Sequence, residues 1–151
     1  MPKRNFTSGF DRFLENMLSK LPNGNIGYLI AFLNSFFYFL YLIWPRTEMY
    51  SFMNNFTFSR FNYSRGYIHT FLTSHFTHMS FLSFLLDTVI LYLFCQNLTT
   101  FYGPLFVAKT IIMSMFLANF FMFVQHSGRS LVRPFCGNDA ILRGLIFAII
   151  F

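Results

Sequence analysis

The stretch FLTSHFTHMSFLSFLLDTVILYLFCQNL, residues 71–98, decides how the rest of the chain is read. Two histidines, His75 and His78, precede an apolar run of about the 20 residues that a helix needs to cross a bilayer. One carboxylate, Asp87, falls in the middle of that run. A charged group at the centre of a membrane helix costs about 2.5–3.5 kcal/mol on insertion scales, so Asp87 must face protein or water. Two readings follow. Asp87 marks a buried polar site, or it is a structural residue satisfied by neighbouring helices, as membrane polar groups often are.

Composition supports a membrane protein of one domain. The 151 residues are 55% hydrophobic and only 11% charged, with mean hydropathy +0.50, where soluble domains carry about 25% charged residues. The formal charge of +6 suits anionic lipid head groups, and phospholipids are expected partners. No basic stripe interleaved with stacking aromatics is present, so nucleic acid is not. The 25 phenylalanines fit an AT-rich genome such as an organelle's. Cys95 and Cys136 match neither a disulfide framework nor a metal spacing and read as small apolar packers. No cofactor or metal is expected: His75 and His78 sit at i and i+3, but zinc needs four good donors.

Outward from the central stretch, residues 1–25 form an N-terminal amphipathic segment and 26–151 a transmembrane domain. Phe10, Phe13, Leu14, Met17, Leu18 and Leu21 recur at helical spacing opposite Asp11, Arg12, Glu15, Asn16 and Lys20. Ser8 can cap this helix, with Asp11 three residues on, and such a helix lies in the membrane interface. Asp11 and Glu15 argue against a transit peptide, so this start is expected to be retained. A first span is predicted over Ile26–Trp44, where Asn34 and Ser35 should hydrogen-bond to another helix. The aromatic segment 46–70 should lie half-buried at the interface, and its sequons at Asn55 and Asn62 matter only if it faces the ER lumen. A second span is placed at Met79–Leu98 and a third at Pro104–Val124, with Lys109 snorkelling. The loop Gln125–Pro134 carries His126, Arg129 and Arg133. A last apolar segment, Ala140–Phe151, rises only about 18 Å and is expected to end inside the membrane. Positive charges balance across the two sides, so the orientation stays open.

Leu72-Thr73-Ser74, Phe76, His78 and Ser80 resemble the entry to the second transmembrane helix of rhomboid intramembrane proteases. That helix reads LTSxFxHxS, with a second His five residues on and an Asn four further. Ser83 and Asp87 fall at those two places here. The likeness runs through Tyr102-Gly103 and returns at Gly137-Asn138-Asp139-Ala140, where the family has GxSG, and covers about half the chain. It implies an all-α membrane protein: a partial rhomboid-like helical bundle with about three full spans, a short last helix and an N-terminal amphipathic interfacial helix.

The same resemblance implies that proteolysis is lost. His78 is kept, whereas Ser83, Asp87 and Asp139 stand where the family carries oxyanion donors and the nucleophile, and no helix for the catalytic base follows within these residues. A hydroxyl without an adjacent base is a weak nucleophile, and an oxyanion needs preorganised donors. We expect no enzyme. Ala140 and Gly144 keep a small-xxx-small spacing suited to close helix packing; other membrane subunits are expected to pack there, and protein or an ordered lipid head group to contact the carboxylate of Phe151. Asp87 should pair with Arg143, offsetting part of the desolvation of both charges; Asp139, one turn away, competes for Arg143. The functional expectation is a degenerate, truncated rhomboid serving as an accessory subunit of a large membrane complex, placed in the mitochondrial inner membrane, with an oxidative-phosphorylation assembly as the candidate host. The alternative is a pseudo-rhomboid or Derlin-like protein that binds transmembrane clients in the ER.

Overall fold

The computed structural model describes residues 8–125 and 136–150. His126, Arg129, Arg133 and Phe151, singled out above, lie outside the described residues. Eight α-helices follow one another among those described: α1 (Gly9–Leu18), α2 (Gly27–Ile43), α3 (Met49–Phe56), α4 (Arg60–Ser64), α5 (Thr70–Thr73), α6 (Phe81–Tyr102), α7 (Pro104–Gln125) and α8 (Asp139–Ile150). The protein is an all-α membrane helical bundle. Phe81–Tyr102 and Pro104–Val124 are each long and apolar enough to cross a bilayer. The 17-residue α2 is about 25 Å long, at the lower limit for a span.

Beyond α2 the chain turns by 107° into Arg46–Phe56, so this part runs across the direction of α2. Its rings divide: Phe52 is fully buried, against Tyr41, Trp44 and Phe56, whereas Tyr50 is exposed. The sequon Asn62 is also buried, its amide donating to Thr57 O at 3.0 Å, and Asn55 donates to Ser51 O at 2.8 Å. Both side chains are therefore engaged within the segment.

The centre of the bundle is α6, with α2 on one flank and α7 on the other, while α8 packs on α7 and touches α6. One apolar core joins Leu18 of α1, Ile30 and Phe37 of α2, Leu91, Cys95 and Leu98 of α6, Val107 and Ile111 of α7, and Ile141 and Leu145 of α8. Within it Asn34 is fully buried and donates to Thr88 Oγ1 of α6 at 3.0 Å, the interhelical bond expected of it. Ser35 departs from expectation: its hydroxyl turns back to Ala31 O of its own helix at 2.8 Å. That local bond satisfies a hydroxyl without any neighbour.

The first helix is built as its periodicity predicts. Ser8 Oγ accepts from the Asp11 N–H at 3.2 Å, and Leu14 and Leu18 are buried while Phe10 and Phe13 are exposed. Lys109 does not simply snorkel. It reaches Asp11 of α1, Nζ to Oδ1 at 2.6 Å, and so ties the N-terminal helix to α7. The Lys109 ammonium holds the Asp11 carboxyl below its ordinary value of 3.8. A lowered folded-state value stabilises docking above 3.8, and that contribution is lost as the pH falls through the lowered value. A distance probe between α1 and α7 should therefore report loosening of α1 only in acid below about pH 3.8. Asp11→Asn should abolish that step, and an unchanged acid transition in the variant would show that another group controls it.

Candidate functional site

The segment between α5 and α6, residues 74–80, is not helical, and this changes what its histidines do. On a helix His75 and His78 would share a face; in this turn they diverge. His78 is 2% exposed and folds back over the start of α6. Its Nε2 lies 3.1 Å from Asp87 Oδ2 and its Nδ1 3.2 Å from Phe76 O. Both neighbours are acceptors, so both contacts are satisfied when one proton is shared between ring and carboxylate. The pair is then neutral as a unit. Its Asp87 end remains partly open, with 23% of that side chain accessible.

His75 points the other way, into α7. Asn119 Nδ2 lies 2.9 Å from His75 Nε2 and also donates to Phe71 O at 2.7 Å. With Nε2 accepting, the proton sits on Nδ1, and the backbone of Met115 also bears on the ring. Both His75 and Asn119 are fully buried, and burial pushes the His75 imidazole down to about 4. It is a neutral ring that fastens the turn to α7. Asn119 was not anticipated, although an amide inside the apolar run of α7 is a signal for a cross-helix bond.

The start of α8 is fixed to the same turn. Gly137 has φ +106°, a conformation only glycine adopts at no steric cost, and its N–H donates to Ser74 O at 2.9 Å. Asn138 is buried, and Asp139 begins the helix with its side chain exposed. Thus the two stretches that carry the rhomboid resemblance meet in space. The individual positions are spread out: Ser83 is exposed in the first turn of α6, Asp87 is turned to His78, and Asp139 is exposed at the head of α8.

Two expectations need correction. Asp87 takes His78 as its partner, and no ion pair joins it to Arg143 among the described residues. Arg143 is exposed and lines a groove between α7 and α8. The core face of α8 is set by the buried Ile141 and Leu145, and at about 100° per residue Arg143 stands some 200° round from Ile141. Gly144 also has a partner within the chain. A Cβ built there would come within 2.5 Å of Ser114 Cβ on α7, so the backbone of α8 at Gly144 lies directly against Ser114.

The fold and the site thus define a helical membrane protein whose rhomboid-like stretches fold against each other. Comparison with characterised proteins points the same way. The chain is 26% identical over 104 residues to RHOMBOID-like protein 12, mitochondrial, of Arabidopsis thaliana, a match covering 69% of this chain. This suggests the rhomboid-like family. The chain spans about a third (31%) of the length of that relative. No family model matches the sequence, and no solved structure matches it.

Proposed function

We propose that the protein is a non-catalytic, rhomboid-like accessory subunit of a membrane complex in the mitochondrial inner membrane. The observation that carries the non-catalytic part is the closed polar pairing around the turn. His78 is spent on Asp87 and Phe76 O, and His75 on Asn119 and the Met115 backbone. Among the described residues, His78 pairs with no serine hydroxyl as a nucleophile's base would, and Asp139 stands at the head of α8 where the resemblance puts the nucleophile. The mitochondrial placement is supported by the name of the Arabidopsis relative and by the phenylalanine-rich composition. The subunit role is supported by the bundle's many outward apolar residues, such as Leu82, Leu86, Val89 and Leu93 of α6, which suit either lipid or neighbouring protein. An oxidative-phosphorylation assembly is the specific host that we infer.

Tagged chain, extracted from its own membranes in mild detergent, should migrate on native gels well above monomer size and bring defined subunits with it. It should show no labelling by fluorophosphonates and no cleavage of transmembrane substrates. A monodisperse monomer would overturn the subunit reading, and labelling at any residue of 137–144 would overturn the non-catalytic one.

A further inference from the structure

The groove between α7 and α8 has a volume of about 840 Å3. One wall is α7, from Phe106 through Met113 and Leu117 to Phe121, and the other is α8, from Ala140 to Phe147. The α7 wall alone is about 22 Å long, most of the 30 Å depth of a hydrocarbon core. A plain lipid-facing surface would be apolar throughout. This groove carries charge at one end: Asp139 in the first turn of α8 and Arg143 one turn further in. Both side chains are exposed. They stand at i and i+4, a spacing that permits an ion pair, yet none forms between them, and Arg143 has no acidic partner among the described residues. The cation towards the groove's far end, Lys109, is matched by Asp11. The unmatched pair is therefore confined to the α8 end.

A guanidinium one turn into a membrane helix needs an anion or a route to water. Arg favours phosphate, which its planar fork can bind through two hydrogen bonds. A second, negative group beside it disfavours a ligand that is purely anionic. The combination matches a head group with a phosphate and an ammonium a few ångströms apart, continuous with hydrocarbon chains.

We propose that the α7–α8 groove binds one zwitterionic phospholipid that carries a primary ammonium, of the phosphatidylethanolamine type. Its phosphate sits on Arg143, its ammonium donates to Asp139, and an acyl chain lies along Met113, Leu117 and Phe147. Asp139 sets the head-group preference, because a primary ammonium has N–H donors for the carboxylate and a quaternary one has none. This inference is independent of the subunit reading.

The test is native mass spectrometry of the full chain, after equilibration in mixed micelles holding equal phosphatidylethanolamine and phosphatidylcholine. One bound phospholipid per chain is expected, with the ethanolamine form favoured about tenfold. Arg143→Gln should lose it, whereas Asp139→Asn should keep a bound phospholipid but lose the preference. Lys109→Gln, at the other end, should change neither. Absence of a stoichiometric lipid on the unaltered chain, equal occupancy by both lipids, or retention of the same lipid by Arg143→Gln would each overturn the proposal. Displacement of the lipid by a copurifying protein helix would overturn it too, in favour of a protein occupant. The wild-type preference is measured without any substitution, so a variant that fails to fold leaves the proposal testable.

Discussion

Gly144→Leu should unfold the contact between α7 and α8 and cost more than about 3 kcal/mol, at the upper end of what overpacking does. A Cβ at 144 would press on the Cβ of Ser114, and a Cβ has no rotamer to escape into. Relief must come from the helix backbones, yet α8 is anchored beside Gly144 by Ile141, one turn back, and by the adjacent Leu145, both buried in the common core. Even Gly144→Ala should cost about 1–3 kcal/mol for this reason. Ser114→Gly opens the facing position, so Ser114→Gly with Gly144→Ala should recover most of the loss. A double-mutant cycle in mild detergent, followed by thermal unfolding, should give a coupling of at least about 1 kcal/mol. Additive effects would show that the two residues do not touch. A Gly144→Leu chain that is as stable as the parent would return Gly144 to the role the sequence suggested, a surface for another subunit.

The second large effect is expected at Asp87. Removing one partner of a buried ion pair leaves the other desolvated and uncompensated, typically at about 3–5 kcal/mol. His78 is almost wholly buried while Asp87 is partly open, so about 3 kcal/mol is expected for Asp87→Ala. Asp87→Asn should cost far less, because its amide N–H2 can donate to Nε2 of a neutral ring that keeps its proton on Nδ1, facing Phe76 O, and no charge is left behind. The paired replacement His78→Phe with Asp87→Leu should be close to neutral, as when a buried polar network gives way to apolar groups of similar volume. Arg143→Leu should leave the Asp87 variants unaffected. If instead Arg143→Leu and Asp87→Ala prove strongly coupled, the pairing inferred from sequence stands and the observed geometry does not describe the protein in its membrane.

These two sites show what the sequence made legible. Membrane class, helix order and the amphipathic α1 followed from periodicity and from the Ser8 cap, all local properties of the chain. Asn34 was found because an amide inside a span must bond across to another helix. The pairing of Asp87 with Arg143 rested on depth alone, and depth follows from counting residues. Which way each helix is rotated does not, although Ile141 and Leu145 already marked the core face of α8 and set Arg143 far from it. The turn at 74–80 was hidden for another reason. Nothing in TSHFTHMS is apolar-periodic enough to separate a helix from an irregular segment, and the distinction decides whether His78 faces away from Asp87 or folds back onto it. Ser114 and Asn119 were missed because each is one small polar residue among many apolar ones, and its role appears only when the neighbour is known.

The closeness of His78 to Asp87 in the chain has a consequence for how the protein reaches its membrane. Nine positions separate them, all within one turn and the opening of one helix. Neither partner of the contact belongs to α7 or α8. A span that waits for a distant cation must enter hydrocarbon with a naked carboxylate, at a cost of a few kcal/mol. Here the proton-sharing imidazole arrives just ahead of the acid on the same segment, so α6 can be threaded into the bilayer as an electrically neutral hairpin. The second span brings its own counter-ion, and the order in which later helices are synthesised and inserted carries no electrostatic penalty from Asp87.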